Sequence, residues 1–143
     1  DTDGHIDTLA RFCGPNHIVY QACDEADYPF ADSLSAMAQQ LTDWTRDSNY
    51  RVGNQPLNIT ALPWPSPVFD DAGARLPATY ANFLIINGAV LVPTYDVPQD
   101  QTALSVLAMC FPDREVIGLP CRPLVTQGGS LHCITMQIHA PCV

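Results

Sequence analysis

Hydrophobic and polar positions along the chain fall into two passes of one pattern, strand-strand-helix-strand. In the first pass, residues 6–13 are apolar and β-compatible, Gly14-Pro15-Asn16 supplies turn chemistry, and residues 17–22 return as a strand. His17 reads as a residue of that turn. Leu34, Met37, Ala38, Leu41 and Trp44 recur at helical spacing and predict a helix over 33–46 with one buried stripe, capped by Asp32 or Ser33. Residues 57–62 form a short strand that Pro63 closes. A loop rich in proline, aspartate and glycine follows, and the second pass begins with a strand over 82–86. Asn87-Gly88 is a strong two-residue hairpin signal, and residues 89–93 return. Asp100 caps a helix running to Cys110, with Ala103, Leu104, Leu107 and Ala108 on one face, and residues 115–119 close the pass.

The two passes end alike, Ala61-Leu62-Pro63 against Gly118-Leu119-Pro120. Repeats of this size predict stacked or radially arranged modules. The fold class is therefore α/β, with one ββαβ module over about 6–63, a second over about 80–120, and a final segment over 126–143 in which a glycine-containing loop leads into a short apolar stretch. Two such modules alone leave sheet edges open. The chain starts at Asp1, almost inside a functional-looking motif, and is read as a piece of a longer protein whose preceding modules are missing.

Composition narrows the function. With 143 residues and 47% hydrophobic content the chain can bury a core. A net charge of −9, with six arginines and no lysine, argues against nucleic acid as a partner and excludes a Schiff-base lysine. It would suit a cationic substrate, although solubility alone accounts for most acidic surfaces. No apolar run is long enough to cross a bilayer and no signal-peptide pattern is present. The six cysteines (Cys13, Cys23, Cys110, Cys121, Cys133, Cys142) lack the spacing of a disulfide scaffold, so the expectation is free thiols in a reducing cytoplasm.

Two motifs at opposite ends carry the chemistry: Asp3-Gly4-His5-Ile6-Asp7 and Gln127-Gly128-Gly129-Ser130-Leu131-His132-Cys133. A nucleophilic cysteine needs a partly exposed thiolate, and Gly128 and Gly129 would let backbone approach a ligand closely. The competing reading of Cys133 is a small core residue in the apolar run over 131–138. His5 and Asp7, two apart on a strand, would share a face, one moving protons and the other holding a cation; the competing reading is a solvated strand end. His132, Cys133, His139 and Cys142 do not make a metal site, because adjacent residues point to opposite strand faces and no C-x-x-C pair exists. Ser130 lacks the G-x-S-x-G frame of a serine hydrolase.

The segments Thr2-Asp3-Gly4-His5-Ile6-Asp7-Thr8-Leu9-Ala10-Arg11-Phe12, Tyr80-Ala81-Asn82-Phe83-Leu84-Ile85-Ile86-Asn87-Gly88, Phe111-Pro112-Asp113-Arg114-Glu115-Val116 and 128–137 resemble the agmatine deiminase and bacterial-type peptidyl-arginine deiminase family, over the C-terminal part of that family's longer chain. The family usually has Gly-Gly-Gly-Asn before Ile-His-Cys, where this chain has Gln127-Gly128-Gly129-Ser130 before Leu131-His132-Cys133. The resemblance implies a pseudo-fivefold α/β propeller of ββαβ modules. It also implies hydrolytic deimination of a small guanidinium substrate without metal or cofactor, most simply agmatine to N-carbamoylputrescine and ammonia. Cys133 matches the nucleophile, His5 the general acid/base, and Asp7 one guanidinium-binding carboxylate; the other such carboxylate lies upstream. The alternatives are a peptidyl-arginine deiminase and a truncated structural or ligand-binding module, and self-association is left open.

Overall fold

A computed structural model describes residues 4–138. Strand β1 (Ala10–Gly14) pairs antiparallel with β2 (His17–Gln21), and β2 pairs in parallel with β3 (Asn58–Leu62), in the order β1-β2-β3. The parallel step needs a crossover, and helix α1 (Ala31–Arg46) supplies it. The second sheet repeats this arrangement: β4 (Leu84–Ile86) lies antiparallel to β5 (Ala89–Thr94), β5 lies parallel to β6 (Glu115–Pro120), and α2 (Asp100–Cys110) is the crossover. The fold is thus mixed α/β with two small sheets. Among the described residues, no helix is long and apolar enough to cross a membrane.

The Asn87-Gly88 turn links Ile86 to its partner Ala89, with Gly88 at φ +80°, a conformation that favours glycine. The stripe of α1 buries Leu34 and Leu41, and Leu41 packs with Ile18 and Leu57 against Met37 and Trp44. A larger cluster joins the two halves: Val19 and Leu62 of the first sheet share one core with Val90 and Val92 of the second, and with Tyr80, Phe83, Leu107 and Val125.

Several expectations need correction. Residues 6–8 are a 3-10 turn rather than the start of a strand. The Thr8 amide and hydroxyl both donate to the His5 carbonyl (3.3 and 2.7 Å), and the Leu9 amide donates to the Ile6 carbonyl at 2.9 Å. These local bonds win because Ile6 is 66% exposed and gains nothing from a strand. Helix α1 begins at Ala31, and neither Asp32 nor Ser33 caps it. Asp100 lies inside the first turn of α2, and its carboxylate takes the amides of Tyr95, Asp96 and Val97 and the Tyr80 hydroxyl. It thereby holds the β5–α2 turn, where Asp96 adopts φ +61°. Ala108 is exposed, and Val106 and Cys110 flank Ala103 and Leu107 instead. Residues 131–138 are no strand: α3 (Arg122–Val125) and a 3-10 turn at His132–Ile134 carry the chain.

Candidate active site

Two 3-10 turns and one buried asparagine build the site. Asp7 sits in the turn Ile6–Thr8, and His132 and Cys133 open the turn His132–Ile134. Asn82, fully buried just before β4, lies between them. Its side-chain oxygen accepts the amides of His132 (2.9 Å) and Cys133 (3.3 Å). Its side-chain nitrogen donates to Asp7 Oδ2 (3.1 Å) and to Cys133 Sγ (3.2 Å). One amide group thus fixes both termini of the site, 75 and 51 residues away in sequence.

Asp7 Oδ2 also meets His132 Nδ1 at 2.6 Å and lies 3.9 Å from the Cys133 sulfur. Burial pushes the Asp7 carboxyl up, but the His132 hydrogen bond and charge, Arg11 and Asn82 together hold it below the usual carboxylate range. Asp7 Oδ1 is buried and has no hydrogen-bond partner among the described residues. A buried carboxylate oxygen left unsatisfied costs about 1–3 kcal/mol or more, so this atom is an acceptor that a donor can stabilise. Arg11 donates to the Phe83 carbonyl (2.8 Å), with its guanidinium 4.9 Å from the Phe83 ring centre. Burial lowers its basicity while Asp7 and Cys133 raise it.

A second layer ties the two turns to the core. Thr79 Oγ1 lies 2.7 Å from the Thr8 carbonyl and 3.1 Å from Gln21 Oε1, which accepts the Tyr80 amide. The Tyr95 hydroxyl lies 2.9 Å from both the Thr79 carbonyl and Ser130 Oγ. Ser130 is buried, so the loop before His132-Cys133 is anchored from below. Gly128 takes φ +86°. A Cβ on Gly129 would come within 2.9 Å of Cys133 Cβ and 3.2 Å of its sulfur, so this position must stay bare for the thiol to keep its place. Cys133 itself is exposed, unlike a core cysteine.

The structure therefore brings Asp7 and Cys133 together, with Gly129 packed against the sulfur and Gly128 in the turn before it. His5 is placed differently. It precedes the 3-10 turn and lines a cavity of about 280 Å³ with Thr8, Leu9, Gln21, Tyr28 and Trp64, a cavity that neither Asp7 nor Cys133 lines. The shared strand face expected for His5 and Asp7 does not form. His5 is extended just before the 3-10 turn and Asp7 lies inside it, so the two-residue alternation of a strand does not run through both. His132 and Cys133 likewise do not alternate across a strand; both serve the same site. His139 and Cys142 lie outside the described residues, as does Asp3. Asn82 and the His132–Asp7 pairing were not anticipated. The available signal was a polar residue inside the apolar run Tyr80-Ala81-Asn82-Phe83-Leu84, since a buried amide must be fully hydrogen-bonded.

The model of the Porphyromonas-type peptidyl-arginine deiminase family matches residues 1–139. The chain belongs to this family. Agmatine deiminase of Pseudomonas putida is 32% identical over 99% of the chain and 42% of its own length. A Porphyromonas gingivalis structure provisionally named an arginine deiminase is 55% identical, with a TM-score of 0.86 over 96% of this chain and 39% of that one. A C. jejuni agmatine deiminase carrying a cysteine-to-serine substitution, with substrate bound, is 35% identical, with a TM-score of 0.79 over 92% of this chain and 36% of that one. The chain spans about two fifths of the length of these family members.

Proposed function

We propose that this chain supplies the nucleophile and one carboxylate of a hydrolase that deiminates a guanidinium substrate, most simply agmatine to N-carbamoylputrescine and ammonia. The observation that carries the reading is the Asp7 carboxylate: its Oδ2 lies 3.9 Å from the exposed Cys133 sulfur, and its buried Oδ1 has no hydrogen-bond partner among the described residues. A guanidinium offers planar N–H donors that a carboxylate oxygen can orient. The names and structures of the similar proteins agree with this chemistry.

In this mechanism the Cys133 thiolate attacks the central guanidinium carbon and a tetrahedral adduct forms. The carbon–nitrogen bond breaks and ammonia departs with a proton from a general acid, leaving a thiouronium. Water attacks that carbon and gives a proton to the same group, the carbon–sulfur bond breaks, and the thiolate returns. His5 is assigned the acid/base role by its place in the Asp3-Gly4-His5-Ile6-Asp7 motif alone, and it would have to turn out of the cavity it lines here to reach the adduct on Cys133. The second guanidinium carboxylate would come from the remaining part of the protein, where further ββαβ modules would complete a propeller. The isolated chain should accordingly be inactive.

The substitution Cys133→Ser in the full-length protein should cut ammonia release from agmatine by about 10³-fold or more with the thermal melt unchanged. Turnover close to wild type would remove Cys133 as nucleophile. The description of the matching family favours a second reading, deimination of peptidyl-arginine. Comparing kcat/KM for agmatine with that for an arginine-containing peptide separates the two.

A further inference from the structure

On the two modules, away from Asp7 and Cys133, three ligand-type side chains converge. Cys13 lies in β1, His17 opens β2, and Cys110 is the last residue of α2. One ligand atom from each of the three lies within 4.8 Å of the other two, and all three residues are half-buried. The placement follows from the fold. The β1–β2 hairpin is irregular between Phe12 and Gly14, and Gly14 pairs with His17, so Cys13 and His17 are brought side by side at its end. The C-terminal end of α2 then delivers Cys110 from the second module. No disulfide joins the sulfurs, and Cys13 Sγ instead lies 3.5 Å from the His17 carbonyl.

We propose that Cys13, His17 and Cys110 bind a thiophilic divalent cation of the zinc class, bridging the first and second modules, with water as fourth ligand. Two thiolates and an imidazole are a donor set that selects zinc over magnesium or calcium. Ligand atoms of a tetrahedral zinc site lie closer to one another than the 4.8 Å limit met here, so small side-chain adjustments suffice. His17 also has the outer partner such a ligand needs: its Nε2 lies 2.8 Å from Thr60 Oγ1, which fixes the ring and leaves Nδ1 for the metal. Each thiol gives up its proton to solvent as its sulfur bonds the ion. Neither thiol belongs to the chemistry proposed above, so the site acts on the joint between modules.

The test uses the full-length protein, kept reduced, with Zn²⁺ and Co²⁺ as probes. Zn²⁺ should protect Cys13 and Cys110 from alkylation by at least tenfold, read by peptide mass spectrometry, while Cys23 changes little. Co²⁺ should give sulfur-to-metal charge-transfer absorption that Zn²⁺ displaces. Cys110→Ser should remove that absorption, and Thr60→Val should weaken Co²⁺ binding by about 10-fold or more. Equal alkylation of Cys13 and Cys110 with and without Zn²⁺ would overturn the proposal, and that measurement needs no variant to fold. Charge-transfer absorption that survives Cys110→Ser would overturn it as well.

Discussion

At the scale of single residues, the site turns on which atoms face the Cys133 sulfur. Asn82 presents an N–H to it at 3.2 Å and a second N–H contact to Asp7 Oδ2 at 3.1 Å. An amide donor favours a thiolate, whereas a carboxylate in the same place would oppose it. The substitution Asn82→Asp keeps the shape, and its remaining oxygen can still take the His132 and Cys133 amides. It puts an acceptor where the donor stood, next to both Asp7 and the sulfur. The alkylation rate of Cys133 at a fixed neutral pH should therefore fall by about 10-fold or more. Asn82→Ala should instead lower stability by about 1–3 kcal/mol, because two buried amides lose their acceptor. A purely structural role for Asn82 would lower stability in both variants and leave the alkylation rate of Cys133 in folded Asn82→Asp where it was.

At the scale of elements, the long connections need their own fastening, and one cluster provides it. Glu25, in the β2–α1 connection, accepts both Arg75 nitrogens (2.8 and 2.7 Å) and the Trp64 indole N–H (2.9 Å). Arg75 in turn stacks over Tyr28 with 4.6 Å from guanidinium to ring centre. Two loops around residues 25 and 64–75 are thus strapped together. The Arg75 and Trp64 hydrogen bonds hold the Glu25 carboxyl at about 2 against an ordinary value of 4.5. A carboxyl whose pKa falls on folding contributes stability that is complete above 4.5 and is lost as pH falls through about 2. Glu25→Gln should therefore melt below wild type at neutral pH, with the two melting temperatures converging as pH drops from 4.5 toward 2. A gap that stays constant over that range would show that the charge plays no part. This strap was invisible in the sequence, since Glu25 and Arg75 are 50 residues apart in loops without periodicity. The helices and the Asn87-Gly88 hairpin were legible, because periodic burial at Leu34 and Leu41, or Ala103 and Leu107, writes itself into neighbouring residues. The 3-10 turns were not. At Ile6–Thr8 and His132–Ile134, hydrogen bonds local to Thr8 and Thr135 override an apolar run that alone suggests extended chain. Asp7 and Cys133 could be named from residue type and motif, but their partners Asn82 and His132 depend on a long-range meeting that spacing does not encode.

At the scale of the whole molecule, the two ββαβ units are joined by a common core, so neither should unfold alone. Leu62, at the end of β3, is fully buried and packs in the same cluster as Val90 and Val92 of β5 and Leu107 of α2. The polar web from Thr8 through Thr79 and Gln21 to Tyr95 and Ser130 crosses the same boundary and supports both turns of the site. Loss of packing in the first sheet should therefore be felt in the second and at Cys133. Leu62→Ala leaves a cavity in this shared core and should cost about 2–5 kcal/mol. Hydrogen exchange decides how that cost is distributed. If the units form one cooperative body, the slowest amides of β3 and β5 should lose protection by the same factor, because both exchange through the same global opening. If protection fell in β1–β3 and persisted in β4–β6, the halves would be independent, and a remote packing defect could not reach the site through the core. The equal response is expected because the buried side chains that separate the sheets are also the ones that join them.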